Sequence, residues 1–172
     1  MGFLKSNKLF PVILILLMGT GSLYAYDIYS GKKVGPVKID MPLSDAFREL
    51  KNPVLKELKE KDRENFFAKI LQLPEAGMLH YNSLFYCPEL NIVLLVANGK
   101  VSGLAVTAEE GMLEGVVDVK RGIEPVLVFY GKAGMTIVKK NEHRVYVYKE
   151  RGIMFFDDNS NGSVDMIIIW KK

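Results

Sequence analysis

The stretch HRVYVYKERGIMFFDDNSNGSVDMIIIW, from His143 to Trp170, carries most of the information about the fold. Its three blocks of β-branched and aromatic residues are separated by Gly, Asn, Asp and Ser, a composition typical of three successive β-strands joined by turns. A second stretch, HYNSLFYCPELNIVLLVANGKVSGLAV from His80 to Val106, follows the same course with a shorter last connection. We interpret the two stretches as an internal duplication.

Equivalent positions can be matched between the two stretches. The matches are His80 with His143, the run Ile92 to Leu95 with Ile153 to Phe156, Asn98-Gly99 with Asn161-Gly162, Val101 with Val164, and Leu104 with Ile167. The first stretch predicts strands over 79–86, 90–97 and 101–107. Both residues of Asn98-Gly99 accept the positive φ of a type I′ turn, so this pair predicts a tight hairpin.

Helical segments are predicted before each set of strands. Ser44 is placed as the N-cap of a short helix, and Asn52-Pro53 predicts the restart of a second helix over Val54 to Leu73. In the second unit, a proline at the start and Gly131 at the end favour a short helix from Pro125. The intervening VLVFY also suits a strand, and this alternative stays open.

The fold class predicted from these elements is α+β. Two tandem repeats, residues 26–107 and 108–172, would each combine a helical segment with an antiparallel three-strand meander. The helices would cover one face of the sheet, because an amphipathic helix and a half-buried sheet face bury each other.

Residues 1–25 are predicted to be a secretory signal peptide. Lys5 and Lys8 precede the apolar run LFPVILILLM, which is short for a membrane span, and cleavage is expected after Ala25. The location is therefore exported, periplasmic or secreted. The alternative is that the segment stays uncleaved as a permanent membrane anchor. Membrane contact is expected only in that case.

The composition of the remaining chain gives few indications of chemistry. The signal segment holds two of the 23 basic residues and none of the 20 acidic ones, so the rest is nearly neutral and no nucleic-acid partner is predicted. Cys87 is the single cysteine, which excludes an internal disulfide. His80 and His143 could pair on a metal, but we interpret them as equivalent strand-start residues. We find no catalytic motif and predict neither an enzyme nor a cofactor.

One loop resembles a calcium site. In DDNSNGSVD, the residues Asp157, Asn159, Asn161 and Asp165 are candidate ligands at the spacing of an EF-hand loop. The twelfth position is Ile168 where a bidentate Glu is required, so a polar hairpin connection is the preferred interpretation and no metal is predicted. A calcium-stabilised structural or surface protein stays as the alternative function.

The order of short helix, loop and three-strand meander, closing on a GIMFF-like and a GSVDMIII-like strand, resembles that of β-lactamase inhibitor proteins. It is also similar to the small lipoprotein of the outer-membrane β-barrel assembly machine. This chain lacks the paired cysteines of the former and the lipidated cysteine of the latter. The resemblance implies a non-catalytic binding or envelope-assembly role.

A binding surface is predicted from the comparison of the two closing strands. Val101, Leu104 and Val106 match Val164, Ile167 and Ile169, which assigns these residues to the helix-covered face, with the irregular first spacing interpreted as a bulge. On the other face, apolar residues replace the small ones of the first unit. The predicted surface for a protein partner or a homodimer consists of Arg144, Tyr146, Tyr148, Met166, Ile168 and Trp170. An enzyme with a site assembled from scattered residues is a further, weaker alternative.

Overall fold

A computed structural model describes residues 26–51, 53–59, 79–108, 111–140 and 142–172. The predicted signal peptide lies outside these residues. Within the described part of the chain, no helix has the length and apolar character needed to cross a membrane.

An eight-stranded antiparallel sheet forms the centre of the fold. Its strands lie in the order β10-β11-β12-β13-β7-β6-β5-β4. Their bounds are β4 Lys56–Glu57, β5 Ser83–Cys87, β6 Ile92–Ala97, β7 Lys100–Thr107, β10 Thr136–Lys140, β11 His143–Tyr148, β12 Ile153–Asp157 and β13 Met166–Trp170. The three strands predicted within His143 to Trp170 are therefore confirmed, as are three between His80 and Val106.

The strand order is symmetrical about the β7–β13 pair, with four strands on each side. Five residue pairs join β7 to β13, among them Val106 with Ile167 and Leu104 with Ile169. Leu104 and Ile167 are matched positions of the two stretches, and so are Val106 and Ile169. Replacing each residue by its match turns one of these two pairs into the other, so the register is symmetrical between the stretches. A duplication would produce this symmetry, and the division into repeats 26–107 and 108–172 stays a prediction.

The hairpin between β6 and β7 has the predicted turn. Asn98 and Gly99 have φ values of 52° and 72°, and Ala97 pairs with Lys100 across them. The register shifts between Leu95 and Val96, which confirms the predicted bulge. Ser102 lies at this shift, where its hydroxyl donates to the carbonyl oxygen of Leu95 at 3.2 Å.

A second, five-stranded sheet was not predicted. Its order is β3-β2-β1-β8-β9, with the bounds β1 Tyr26–Tyr29, β2 Lys33–Val34, β3 Val37–Lys38, β8 Gly111–Leu113 and β9 Val117–Asp118. The pairing of β1 with β8 is parallel and joins residues more than eighty positions apart. The sheet thus ties the start of the described chain to its middle.

Two α-helices lie in the described residues, α1 over Leu43–Glu49 and α2 over Ile123–Tyr130. The helix predicted from Pro125 is confirmed, and it ends before Gly131, whose φ is 74°. Ser44 lies inside α1 and is not its N-cap. The helix predicted over Val54 to Leu73 is wrong at its start, because Lys56–Glu57 is β4, and residues 60–78 lie outside the described part.

The predicted α+β class with a helix per repeat is wrong, because the protein is mostly β. The described residues hold thirteen strands against two α-helices of 7 and 8 residues and two 3₁₀ turns, Val119–Arg121 and Lys149–Arg151. One face of the large sheet packs on the small sheet together with both helices, so helices alone do not cover it. Strands of two to four residues are too short to show a clear alternation in the sequence.

Both faces of the large sheet are buried. Leu104, Val106, Ile167 and Ile169 face the small sheet and the helices, as predicted. The opposite face forms a second core cluster that includes Ala105, Met154, Phe156 and Met166 together with Leu79, and Leu58 packs against this cluster. Val93 and Ile168, also on this face, have no exposed surface.

The exposure assumed for the predicted binding face is therefore wrong. Met166, Ile168 and Trp170 are buried in the second cluster, whereas Tyr146 and Tyr148 are buried in the first, on the opposite side of the sheet. Arg144 is half-buried and its Nε lies out of solvent. The six residues do not form one surface, because the register places Tyr146 in line with Phe155 and Ile167, and neighbouring residues of β13 point to the opposite face.

We expect Ile168→Ala to lower the free energy of unfolding by about 2 to 5 kcal/mol, because it leaves a cavity in a closed core. The same change at Ile137, which is 46% exposed on edge strand β10, is a matched control and should cost below about 1 kcal/mol. Urea denaturation of both variants measures the difference. Equal losses would contradict the burial of the second face.

Candidate functional site

Two adjoining concavities lie at one end of the large sheet. The first, of about 870 Å³, is bordered by the β6–β7 hairpin, the 3₁₀ turn after β11 and the residues that follow β13. The second, of about 580 Å³, is bordered by the β1–β2 turn and the residues after β3. They share Asp40, Lys171 and Lys172, so they form one continuous surface, which we call the lysine groove.

Lysines dominate the lining of this groove. Lys100 and Lys149 belong to the first concavity, and Lys171 and Lys172 to both. The second concavity adds Lys32, Lys33 and Lys38. Among the described residues, the carboxylates in the lining are those of Asp40 and Glu150. The groove is therefore a local excess of positive charge on a chain that is nearly neutral without its first 25 residues.

The antiparallel pairing of β13 with β7 brings three of these seven lysines together. Trp170 lies opposite Gly103, and the amide of Lys171 donates to the carbonyl oxygen of Ser102 at 3.1 Å. Lys171 and Lys172 consequently lie beside the start of β7, where Lys100 is. The ammonium of Lys171 pairs with the two carboxylate oxygens of Asp40 at 2.8 and 3.0 Å, at the junction of the two concavities.

Two glycines let Lys172 lie against the backbone between the concavities. Gly31 and Gly152 both have positive φ, of 61° and 64°. A Cβ built on either residue would lie 3.3 Å from Cγ of Lys172, and it would also collide with a carbonyl oxygen, of Arg151 or of Trp170 respectively. Glycine is needed at both positions because of its φ and because of this close approach.

A hydrogen-bonded network around Glu114 supports the second concavity. The amide and hydroxyl of Ser30 donate to Oε1 of Glu114 at 3.0 and 2.6 Å, and the hydroxyl of Tyr130 donates to the same oxygen at 3.0 Å. The guanidinium of Arg151 lies 4.3 Å from the ring centre of Tyr130. The network thereby connects the β1–β2 turn to α2 and to the 3₁₀ turn after β11.

The environment shifts two pKa values in this network. Burial acts to raise the pKa of Glu114, but the hydrogen bonds from Ser30 and Tyr130 and the charge of Lys32 outweigh it and hold that pKa below its ordinary value. Burial raises the pKa of Tyr130 far above its ordinary value. Tyr130 therefore stays a hydroxyl donor and Glu114 a carboxylate acceptor at neutral pH.

Of the residues predicted for partner binding, the groove contains one. Trp170 lines the first concavity although it is only 7% exposed. The two histidines, whose pairing on a metal was the alternative that we did not prefer, are not brought together. His80 is exposed in the groove near Lys149, whereas His143, at the other end of β11, contacts Asp158 through Nδ1.

The calcium candidates form a loop whose side-chain oxygens accept hydrogen bonds from the loop itself. Both carboxylate oxygens of Asp157 accept backbone amides, from Asn161 at 3.1 Å and Gly162 at 3.0 Å, and Asp165 accepts the amide of Asp158 at 2.7 Å. The side chain of Asn161 accepts from Ser163, and Asn159 is exposed. In the part of the chain that is described, no group of three or more His, Cys, Asp or Glu side chains is placed to hold a metal ion.

An apolar concavity beside α2 is a further feature that the sequence did not indicate. Val116, Val128 and Phe129 line it and are 67%, 83% and 46% exposed. Cys87, in contrast, is fully buried at the end of β5, and this burial raises the pKa of its thiol. The cysteine therefore has no accessible, reactive thiolate.

No family model matches the chain, and no curated protein matches it. Among solved structures, it is similar to the uncharacterized protein yfeY from Escherichia coli. The identity is 13% and the TM-score 0.49, over 84% of this chain and 99% of that one. This similarity is too low to support an inference about either fold or function.

We expect Glu114→Gln to lower the free energy of unfolding by about 1 kcal/mol at pH 7, because a charge-assisted acceptor for three donors is lost. The pKa of Glu114 is lowered in the folded protein, so the carboxylate contributes its full stability above the ordinary value of about 4.3. This contribution is lost as the pH falls through the folded-state pKa.

Urea denaturation of wild type and variant between pH 7 and pH 3 measures this effect. The difference between the two proteins should be constant above about pH 5 and shrink below about pH 4. A difference that stays constant down to pH 3 would show that the charge of Glu114 does not stabilise the fold.

Proposed function

We propose that this protein is an exported, non-catalytic binding protein that takes an anionic partner in the lysine groove. The observation that carries the proposal is the convergence of seven lysines from separate segments of the chain on two joined concavities. Export is supported by the sequence of residues 1–25, as argued above. The protein partner or homodimer was expected on a sheet face that the structure shows to be buried. We therefore propose the groove as the binding surface instead.

Electrostatics supports an anionic partner. Side chains of like charge repel one another in the folded state, and concave walls concentrate the resulting field. Asp40 is already paired with Lys171, and the charge of Lys32 acts on the Glu114 carboxylate, whereas Lys38 and Lys100 make no ion pair within the described residues. A bound anion would relieve this repulsion and gain several ammonium contacts at once.

The residue types favour binding over catalysis. Lysine provides mobile point charges that hold anionic groups without fixing their geometry, unlike the planar fork of arginine. Glu114, the carboxylate with the shifted pKa nearest to the groove, has an evident structural use, since it connects Ser30 and Tyr130. A perturbed carboxylate is a frequent mark of catalysis, but structural networks perturb pKa values in the same way.

The test is a pair of triple variants with equal change in net charge. Lys32, Lys38 and Lys100 are replaced by glutamine in the groove variant, and Lys120, Lys132 and Lys139, exposed residues outside the groove, in the control. We measure the affinity for short dextran sulfate at low salt by calorimetry. The groove variant should bind about 100-fold more weakly than wild type, on the scale of about 1 kcal/mol per lysine.

The control variant should retain most of the affinity, and thermal melting confirms that both variants are folded. If the two triple variants lose affinity equally, binding depends on net charge alone. That result would contradict the groove as the binding surface.

A further inference from the structure

The two concavities of the lysine groove differ in chemistry. Besides its lysines, the first has the uncharged hydrogen-bonding side chains of Asn98 and Ser102, the carboxylate of Glu150, and an apolar edge at Trp170. The second offers three further lysines and little else with a functional side chain. A ligand that used both would place an anionic group in the second concavity and a body rich in hydrogen-bonding groups in the first, where the lysines also donate to hydroxyls.

Several wall segments of the groove are already hydrogen-bonded to one another. The amide of Asp40 donates to Val101 and the amide of Lys171 to Ser102, at 2.8 and 3.1 Å. The amide of Ile39 likewise donates to Lys32 at 2.8 Å. Because these wall segments are bonded to one another, recognition along them comes from side chains, which suits hydroxyl and phosphate groups.

We infer that the ligand is a phosphorylated saccharide, with its phosphate in the second concavity and its sugar in the first. The inference rests on the proposed function, since it names the anionic partner of the same groove. A phosphate satisfies several ammonium groups at once, and lysine binds it as a point charge. Sugar hydroxyls match the donors and acceptors of Asn98, the carboxylate of Glu150 and the remaining acceptor capacity of the Ser102 hydroxyl, and the less polar face of a sugar ring suits the apolar side chain of Trp170.

The volume of the first concavity agrees with this assignment. At about 870 Å³ it lies within the range of about 300 to 1,000 Å³ that small-molecule sites have. It therefore has room for a sugar unit, and more than a phosphate alone needs. The second concavity opens directly onto it through the Asp40–Lys171 pair.

The experiment compares three probes on the full chain. They are a mannose pentasaccharide with one terminal phosphate, the same pentasaccharide without phosphate, and inorganic tripolyphosphate. Trp170 is the only tryptophan in the chain, so its fluorescence reports directly on the first concavity. The phosphorylated pentasaccharide should bind at least about tenfold more tightly than either other probe and should shift the emission of Trp170.

Two variants test separately the contact with the sugar in the first concavity and the contact with the phosphate in the second. Asn98→Gly keeps the positive φ of the turn and removes the amide side chain, so it should weaken the phosphorylated pentasaccharide about tenfold and leave tripolyphosphate unchanged. Lys38→Gln should weaken both phosphate-containing probes. Thermal melting confirms that each variant is folded.

The outcomes distinguish this inference from the function on which it rests. If tripolyphosphate binds as tightly as the phosphorylated pentasaccharide and Asn98→Gly affects neither, the groove recognises charge alone. That result overturns the saccharide assignment and leaves the anion-binding function standing. If no phosphate-containing probe binds and dextran sulfate does not distinguish the triple variants, both proposals are wrong.

Discussion

The pairing of β7 with β13 is the constraint on which the rest of the structure depends. These strands are the closing strands of the two meanders, and their five residue pairs turn two four-stranded halves into one eight-stranded sheet. The same register places Lys171 and Lys172 beside the hairpin that carries Lys100. A shift by one residue would exchange the two faces of β13 and also move these lysines out of the groove.

Burial on both faces follows from this central position. Strands buried on both sides appear in sequence as nearly continuous apolar runs rather than as an alternation. The runs MIIIW of β13 and IVLLV of β6 have this form, and the residues of both strands are buried except for Ala97, which is partly exposed. The apolar residues of β13 were expected, wrongly, to form an exposed face. The continuity of the apolar run in β13 is what indicates a strand covered on both faces.

What the sequence predicted correctly depends on local chemistry. Asn98-Gly99 specifies its turn by positive φ, and Gly131 ends α2 for the same reason. The five-stranded sheet could not be predicted, because the parallel pairing of β1 with β8 comes from a contact between distant segments. The lysine groove could not be predicted for a similar reason, since its lysines come from separate segments and form no run in the sequence. The strand register also corrects one match between the two stretches. Cys87 lies opposite Ile92 and Tyr148 lies opposite Ile153, so Cys87 and Tyr148 are equivalent positions. Counting back from them aligns His143 with Asn82 and not with His80.

The central claim is that the β7–β13 register builds an anion-binding groove, and amide chemical shifts under titration with tripolyphosphate test it most directly. The account predicts that the largest shifts fall on residues 31–33, 38–40, 98–102, 149–150 and 170–172, which are far apart in sequence and adjacent in the fold. Amides near Lys120 and Lys132 should change little. Shifts centred on those lysines or on the apolar concavity beside α2, with the groove amides unmoved, would contradict the claim.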